Sequence, residues 1–155
     1  MKYLKWIFIA TLLFTIAACN VQAGDDSDKL DWNENLEEAI KIADNENKTV
    51  FINFTGSDWC KWCIKLSDEV FSKKEFEAYA KENLVLVKLD FPRNIQQSQE
   101  VKDYNNKLKR KYQVQGYPTV IVLNKKGERI GTTGYVPGGP VKYVQHLEEM
   151  IKPQS

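Results

Sequence analysis

Two cysteines separated by two residues are the part of this sequence best suited to chemistry. Cys60 and Cys63 stand in the run Trp59-Cys60-Lys61-Trp62-Cys63. Thiols three positions apart lie on the same side of a helix, so they can form a disulfide with each other or exchange it with another protein. The pair predicts thiol-disulfide exchange, with Cys60 as the nucleophile and Cys63 as the thiol that resolves the mixed disulfide.

The elements around the pair are predicted to place Cys60 at the start of a helix. Residues 49–54 are mostly β-branched or aromatic and end just before Gly56, which indicates a buried strand. Helical periodicity then runs from Cys60 to about Phe71. Because the N-terminus of a helix presents unpaired N–H groups and the positive end of the dipole, it favours a thiolate at Cys60.

Other uses of a cysteine pair fit this chain less well. A zinc site needs further ligands, and the chain has a single histidine, His146, far along the sequence. Haem attachment requires histidine directly after the second cysteine, where Ile64 stands. An exported protein could carry a static disulfide here, although a bridge across two residues restrains little of the unfolded chain. We expect no metal and no cofactor.

The residues flanking the cysteines are candidate substrate contacts. Trp59 and Trp62 offer apolar surface on which a substrate peptide could lie, or they could simply pack the loop. Lys61 adds a positive charge near Cys60, and we interpret it as a solvated side chain. The two tryptophans are therefore predicted binding residues.

The N-terminus predicts export. Lys2 and Lys5 precede an uncharged, mostly apolar run at residues 6–18, which is shorter than the roughly 20 residues of a membrane-spanning helix. This pattern is typical of a secretory signal peptide, which we place at residues 1–19. The protein is expected to leave the cytoplasm.

Two cleavage sites compete at the end of this segment. The run Ile16-Ala17-Ala18-Cys19 resembles a bacterial lipoprotein box, in which Cys19 would be lipidated and anchor the protein to a membrane. The run Val21-Gln22-Ala23 offers an ordinary signal peptidase site instead. We favour lipidation of Cys19, while an unmodified cysteine in the apolar segment remains an alternative.

The remaining sequence predicts one compact, monomeric domain at residues 31–152. Residues 20–30 are rich in Asp, Gly and Ser and predict a flexible tether. The chain has 155 residues, of which 43% are hydrophobic, enough for one ordinary core. Because 22 basic residues stand against 21 acidic ones, the charge argues against nucleic acid as a partner.

Hydrophobic periodicity predicts alternating helices and strands in this domain. Helices are predicted near residues 36–43, 60–71, 76–82, 98–112 and 140–151, and strands at residues 49–54, 84–89, 119–123 and 129–133. We expect Asn33 to cap the first helix and the helix at 98–112 to be a crossover. The order predicts an α/β fold, with a mixed central sheet and helices on both faces.

Several motifs resemble the thioredoxin-like family. The matching segments are Phe51-Ile52-Asn53-Phe54, Trp59–Cys63, Tyr112–Thr119, Gly127 and Gly134. The resemblance extends over about residues 31–152. The runs Gly56–Cys60 and Glu69–Phe71 are further similar to exported bacterial thioredoxin-like proteins and to the periplasmic C-terminal domain of the membrane thiol:disulfide interchange reductase.

The resemblance implies a substrate-binding role for Tyr117 and Pro118. In this family the matching proline is preceded by a cis peptide bond, which would place Tyr117 beside Cys60 and expose its backbone to an extended substrate. An ordinary trans proline that opens a strand is the alternative. The segment from Pro92 to Lys107 is longer than in minimal thioredoxins, and we interpret it as a solvated spacer rather than a partner contact.

One position departs from the family pattern. Thioredoxins commonly carry a buried aspartate beneath the active site, and the matching residue here is Asn53, whose amide cannot act as a general base. Either a carboxylate at Asp58, Asp68 or Glu69 takes over this function, or water does. His146 is expected to be a helix residue without a catalytic role.

Together these observations predict a thiol-disulfide oxidoreductase of the bacterial cell envelope, periplasmic or lipid-anchored. Its expected partners are disulfide-containing envelope proteins and a redox partner, and we favour the reducing direction. The alternative is a lipid-tethered interaction module that keeps the fold and holds a partner with Tyr117 and the two tryptophans, its disulfide being static.

Overall fold

The computed structural model describes residues 30–152. The predicted signal peptide, the lipidation site Cys19 and nearly all of the predicted tether lie outside the described residues. Within residues 30–152, no helix is both long and apolar enough to cross a membrane.

A five-stranded mixed sheet forms the centre of the fold, with strand order β1-β3-β2-β4-β5. The strands are β1 (Trp32–Asn33), β2 (Thr49–Thr55), β3 (Leu84–Asp90), β4 (Thr119–Leu123) and β5 (Arg129–Thr133). β3 runs parallel to β1 and β2, whereas β4 runs antiparallel to both β2 and β5. The predicted mixed sheet is confirmed.

Helices pack on both faces of the sheet, as predicted. They are α1 (Leu36–Glu46), α2 (Lys61–Leu66), α3 (Lys74–Asn83), α4 (Gln99–Lys111) and α5 (Gly139–Ile151), and a π-helical segment (Ser67–Phe71) continues α2. The predicted helix at 60–71 is thus an α-helix that widens into a π-helix, a change that apolar periodicity does not specify.

Three details of the sequence prediction are corrected. The cap of α1 is Asn35, whose side chain accepts the N–H of Glu38, and not Asn33, whose amide instead donates to the Leu86 carbonyl. Strand β1 was not predicted, because two residues are too few to show a periodicity. Helix α4 does not link parallel strands, since β4 is antiparallel to β2 and therefore also to β3.

The core lies in two layers because β2 is buried on both of its faces. Val50, Ile52 and Phe54 point towards α1 and α4, whereas Phe51 points towards α3 and α5. All four side chains are fully buried. This two-sided burial explains the continuous apolar run in the sequence, and it makes β2 a rigid support for the loop that follows it.

Candidate active site

The two cysteines lie where β2 leads into α2. Cys60 is the N-cap residue of α2, Cys63 lies in its first turn, and the two form a disulfide with their Cα atoms 5.2 Å apart. The N–H of Cys60 donates to the Gly56 carbonyl at 2.9 Å, which fixes the turn between strand and helix. Helix α2 therefore begins at its cap residue Cys60, as predicted.

The helix terminus directs hydrogen-bond donors at Cys60. The N–H of Cys63 donates to the Cys60 Sγ at 3.2 Å, and the N–H of Ile64 donates to the Cys60 carbonyl at 3.0 Å. A donor aimed at sulfur stabilises a thiolate more than a thiol. Both cysteines are nearly buried, at 6% exposed for Cys60 and 4% for Cys63, so burial alone does not decide which is the nucleophile.

Trp59 anchors one side of the site. Its indole Nε1 donates to the Phe91 carbonyl at 2.8 Å, the Arg93 guanidinium lies 3.8 Å from its ring centroid, and Tyr117 meets it edge to face at 5.9 Å. Gly56 leaves space for this indole, because a Cβ there would come within 2.6 Å of the ring. Trp59 is thus packed from several sides, which agrees with the loop-packing interpretation.

Asp58 fixes the loop after β3 against the active-site turn. Its carboxylate accepts the backbone N–H groups of Arg93, Asn94 and Ile95, at 2.6 to 3.3 Å. Phe91, just before them, lies against Tyr117 at 5.1 Å. The start of the segment predicted to be a solvated spacer is therefore bound to the active-site turn, and that interpretation is wrong for residues 93–95.

These hydrogen bonds make the loop sensitive to acid. The Arg93 N–H first, and then those of Asn94 and Ile95, hold the pKa of Asp58 below its ordinary value. The stabilisation is fully present above about pH 3.9, the ordinary Asp pKa, and is lost as the pH falls through the lowered pKa. We expect the amide NMR signals of residues 93–95 to shift in that pH range.

In an Asp58→Ala variant, the amide NMR signals of residues 93–95 at neutral pH should resemble those of the unmodified protein in acid. Asp44→Asn, at an exposed position of α1, is the control and should leave them unchanged. Amide signals in the Asp58→Ala protein that match the unmodified protein at neutral pH would refute the role given to this carboxylate.

Trp62 lies on the opposite side and is 54% exposed. Its ring is 5.3 Å from that of Tyr135, and the Lys65 ammonium lies over both rings, 5.3 Å from Trp62 and 5.2 Å from Tyr135. Glu69 accepts the Tyr135 hydroxyl and lies 3.7 Å from Lys65. The Trp62 ring is thus exposed on one part and packed against Tyr135 and Lys65 on another.

The Tyr117-Pro118 peptide bond is cis, as the family resemblance implied. Tyr117 packs between Trp59 and Phe91, so it lies beside the residue that precedes Cys60. On the other side, a Cβ at Gly134 would lie only 3.0 Å from the Pro118 carbonyl oxygen, which shows how closely the 134–138 loop approaches. Tyr135, whose ring contacts that of Trp62, belongs to the same loop.

Most predicted site residues are gathered around the disulfide, together with several that sequence analysis missed. The missed residues are Lys65, Phe91, Arg93 and Tyr135. The contacts of Phe91, Arg93 and Tyr135 with the two tryptophans are tertiary, so nothing in the local sequence marks these three residues. Lys65 follows Trp62 by three positions on the same helix, and this spacing could have identified it. His146 lies on α5, where its Nε2 is 2.9 Å from the Thr133 hydroxyl. Among residues 30–152, no cluster of three or more His, Cys, Asp or Glu could hold a metal ion.

The fold and the bonded C-x-x-C pair at a helix start define a disulfide oxidoreductase with a thioredoxin fold. The family model described as a thioredoxin-like domain matches residues 36–151. This protein belongs to the thioredoxin-like family.

Two relatives from Chlamydia pneumoniae are similar in sequence. The disulfide bond reductase DsbH is 31% identical over 156 residues, which cover 94% of this chain and 93% of that protein. The thioredoxin-related protein DsbJ is 28% identical over 143 residues, which cover 89% of this chain but only 40% of that protein.

Solved structures agree with this assignment. The DsbH oxidoreductase matches with a TM-score of 0.76 at 32% identity, covering 87% of this chain and 94% of that one. The C-terminal domain of DsbD from Neisseria meningitidis matches with a TM-score of 0.55 at 18% identity, covering 77% and 98%. The second similarity concerns the fold alone.

Proposed function

We propose that this protein reduces disulfides of other proteins in the bacterial cell envelope, with Cys60 as the nucleophile and Cys63 as the resolving thiol. The observation that carries the proposal is the position of Cys60 as the α2 cap, with the Cys63 N–H aimed at its sulfur. That donor and the helix terminus stabilise a thiolate at Cys60, whereas among residues 30–152 no hydrogen bond is donated to the Cys63 sulfur.

The reaction proceeds in two exchanges. The Cys60 thiolate attacks one sulfur of a substrate disulfide, forms a mixed disulfide and releases the other substrate sulfur as a thiolate. The Cys63 thiolate then attacks the Cys60 sulfur, which forms the Cys60–Cys63 disulfide and releases the second substrate thiolate. Two electrons pass to the substrate, and a separate redox partner must return the enzyme to the dithiol.

Two surfaces beside the disulfide suit an extended substrate. The backbone at Tyr117 and Pro118 can pair with an extended segment of the substrate, which is a common way to bind extended peptides. The exposed Trp62 ring supplies apolar contact on the other side, held by Tyr135 and Lys65. Trp59 serves chiefly to position the loop, and its exposed part adds to the binding surface.

Similarity to a named reductase and the identity of residue 62 support the reducing direction. A relative 31% identical to this chain is named as a disulfide bond reductase. Oxidant members of the family often have histidine directly before the second cysteine, where Trp62 stands here. Export by the signal peptide at residues 1–19, with Cys19 lipidated, would tether a monomeric reductase to a membrane of the envelope.

The reduction potential tests the direction. Equilibration of the purified domain in glutathione buffers, followed by alkylation of free thiols, should give a value near the roughly −270 mV of thioredoxin. A strongly stabilised dithiol form would instead raise the potential towards about −120 mV, the value of a strong oxidant. A result near the latter value would contradict the reducing direction while leaving the exchange chemistry intact.

Cell fractionation tests whether Cys19 is lipidated. Cells that express the full chain should carry this protein in the membrane fraction, and a Cys19→Ala variant should lose that association. Equal membrane association of both forms would contradict lipidation at Cys19.

A further inference from the structure

A cavity of about 230 Å³ borders Cys63, and none of the predicted substrate contacts Trp59, Trp62, Tyr117 and Pro118 is among its lining residues. The residues of its lining that bear on chemistry are Asn53, Cys63, Asp68 and Lys88. Asn53 and Lys88 are register partners on β2 and β3, while Cys63 and Asp68 come from α2 and the π-helical segment. The resolving thiol thus shares a cavity with one carboxylate and one ammonium group.

Asn53 indicates that water occupies this cavity. Its side chain is only 6% exposed, and its Oδ1 accepts no hydrogen bond from any described residue. Buried polar atoms are almost always hydrogen-bonded, to protein or to ordered water, and a polar cavity of this size has room for several water molecules. Water therefore provides a path for a proton between Cys63 and the cavity mouth.

Asp68 is the only carboxylate among the described residues that lines this cavity. The other nearby carboxylates are engaged elsewhere. Asp58 accepts the amides of residues 93–95, Asp90 accepts the N–H and hydroxyl of Ser57, and Glu69 accepts the Tyr135 hydroxyl. Asp68 is also exposed, so it can pass a proton on to solvent.

We propose that Asp68, acting through water in this cavity, accepts the proton that the Cys63 thiol must lose before it can resolve the mixed disulfide. The inference rests on the proposed function, since it assigns the base for its second exchange. The titratable groups facing Asp68 across the cavity are Cys63 of α2 and Lys88 of β3, whereas β1 and β2 contribute only uncharged side chains, among them Trp32, Asn53 and Thr55.

Proton transfer from Cys63 comes before the second disulfide exchange. The Cys63 S–H proton passes to water and a water proton passes to the Asp68 carboxylate. The Cys63 thiolate attacks the Cys60 sulfur, the bond between Cys60 and the substrate sulfur breaks, and the substrate leaves as a thiolate. The Lys88 ammonium stabilises the transient thiolate across the same cavity. Asp68 then releases its proton to solvent.

Single-turnover reaction with a chromogenic nitrobenzoate disulfide separates the two exchanges. With the reduced protein and an excess of this reagent, attack by Cys60 releases one coloured thiolate, and resolution by Cys63 releases the second. We expect Asp68→Asn to leave the first phase unchanged and to slow the second by roughly 10- to 100-fold near pH 7, the low end of general-base effects because water intervenes. The deficit should shrink as the pH rises, because hydroxide then removes the proton directly.

The direction of the effect distinguishes proton transfer from simple electrostatics. Loss of a negative charge near Cys63 would by itself favour its thiolate and speed the second phase. Slowing therefore points to a missing proton acceptor. Adding Asn53→Asp to Asp68→Asn places a carboxylate back in the cavity and should restore the second phase, whereas a purely structural role of Asp68 predicts no rescue.

Asp44→Asn is the matched control, because it makes the same chemical change on an exposed face of α1 outside the cavity. A second phase in Asp68→Asn that equals this control at every pH would overturn the role of Asp68. Absence of both phases in the unmodified protein would instead overturn the proposed function. The two failures are therefore distinguishable.

Discussion

A Cys63→Ser variant is expected to accumulate mixed disulfides with its substrates through Cys60. Serine at 63 leaves the helix start, and with it the thiolate at Cys60, in place. Its hydroxyl cannot resolve the intermediate, because it is not ionised near neutral pH and oxygen does not replace sulfur in the exchange. The complexes should appear as slowly migrating bands on non-reducing gels and disappear on treatment with dithiothreitol.

The complementary Cys60→Ser variant is expected to trap nothing and to lose disulfide reduction down to the background rate. Cys63 would then be the only thiol of the domain, and among the described residues no hydrogen-bond donor is aimed at its sulfur. Equal trapping by both variants would contradict the assignment of the nucleophile. Trapping by neither would favour an interaction module with a static disulfide over an enzyme.

Replacement of Phe51 by alanine is expected to lower the free energy of unfolding by about 3–5 kcal/mol. The Phe51 ring is fully buried on β2 and lies 5.7 Å from the ring of Phe71, 5.9 Å from that of Phe76 and 6.2 Å from that of Trp32. Truncation would remove these contacts and leave a cavity between the sheet and the helices. Urea unfolding, followed by tryptophan fluorescence, measures the loss.

Two variants control this prediction. Phe51→Leu keeps most of the buried volume, should cost clearly less and remains measurable if the alanine variant does not fold. Val141→Ala, at a side chain 55% exposed, should change the free energy of unfolding by no more than about 0.5 kcal/mol. A Phe51→Ala protein as stable as Val141→Ala would show that the aromatic cluster does not support the fold as described.

The loop around Asp58 illustrates how a local sequence can mislead. The polar run after Phe91 is typical of a solvated spacer, yet its first amides bind the Asp58 carboxylate and Arg93 lies over Trp59. These partners are more than thirty positions apart, so no periodicity connects them. The same holds for Tyr135 beneath Trp62.

Short spacings along the chain are enough to specify several features of this protein. Residues close in sequence produce the apolar run of β2, the C-x-x-C spacing and the helical periodicities. For this reason the helix start at Cys60 and the α/β class could be predicted. The cis peptide bond before Pro118 was implied by the family resemblance and not by spacing.

Which side chains meet around the disulfide depends mostly on long-range packing. The direction of β4, the pairing of β1 with β3 and the cavity shared by Cys63 and Asp68 depend on how distant elements pack. The sequence offers Asp58, Asp68 and Glu69 equally as carboxylates for the active site, and only packing shows that Asp68 is the one that lines the cavity beside Cys63. Packing energy comes from many long-range contacts at once, so it selects one arrangement that no short segment encodes alone.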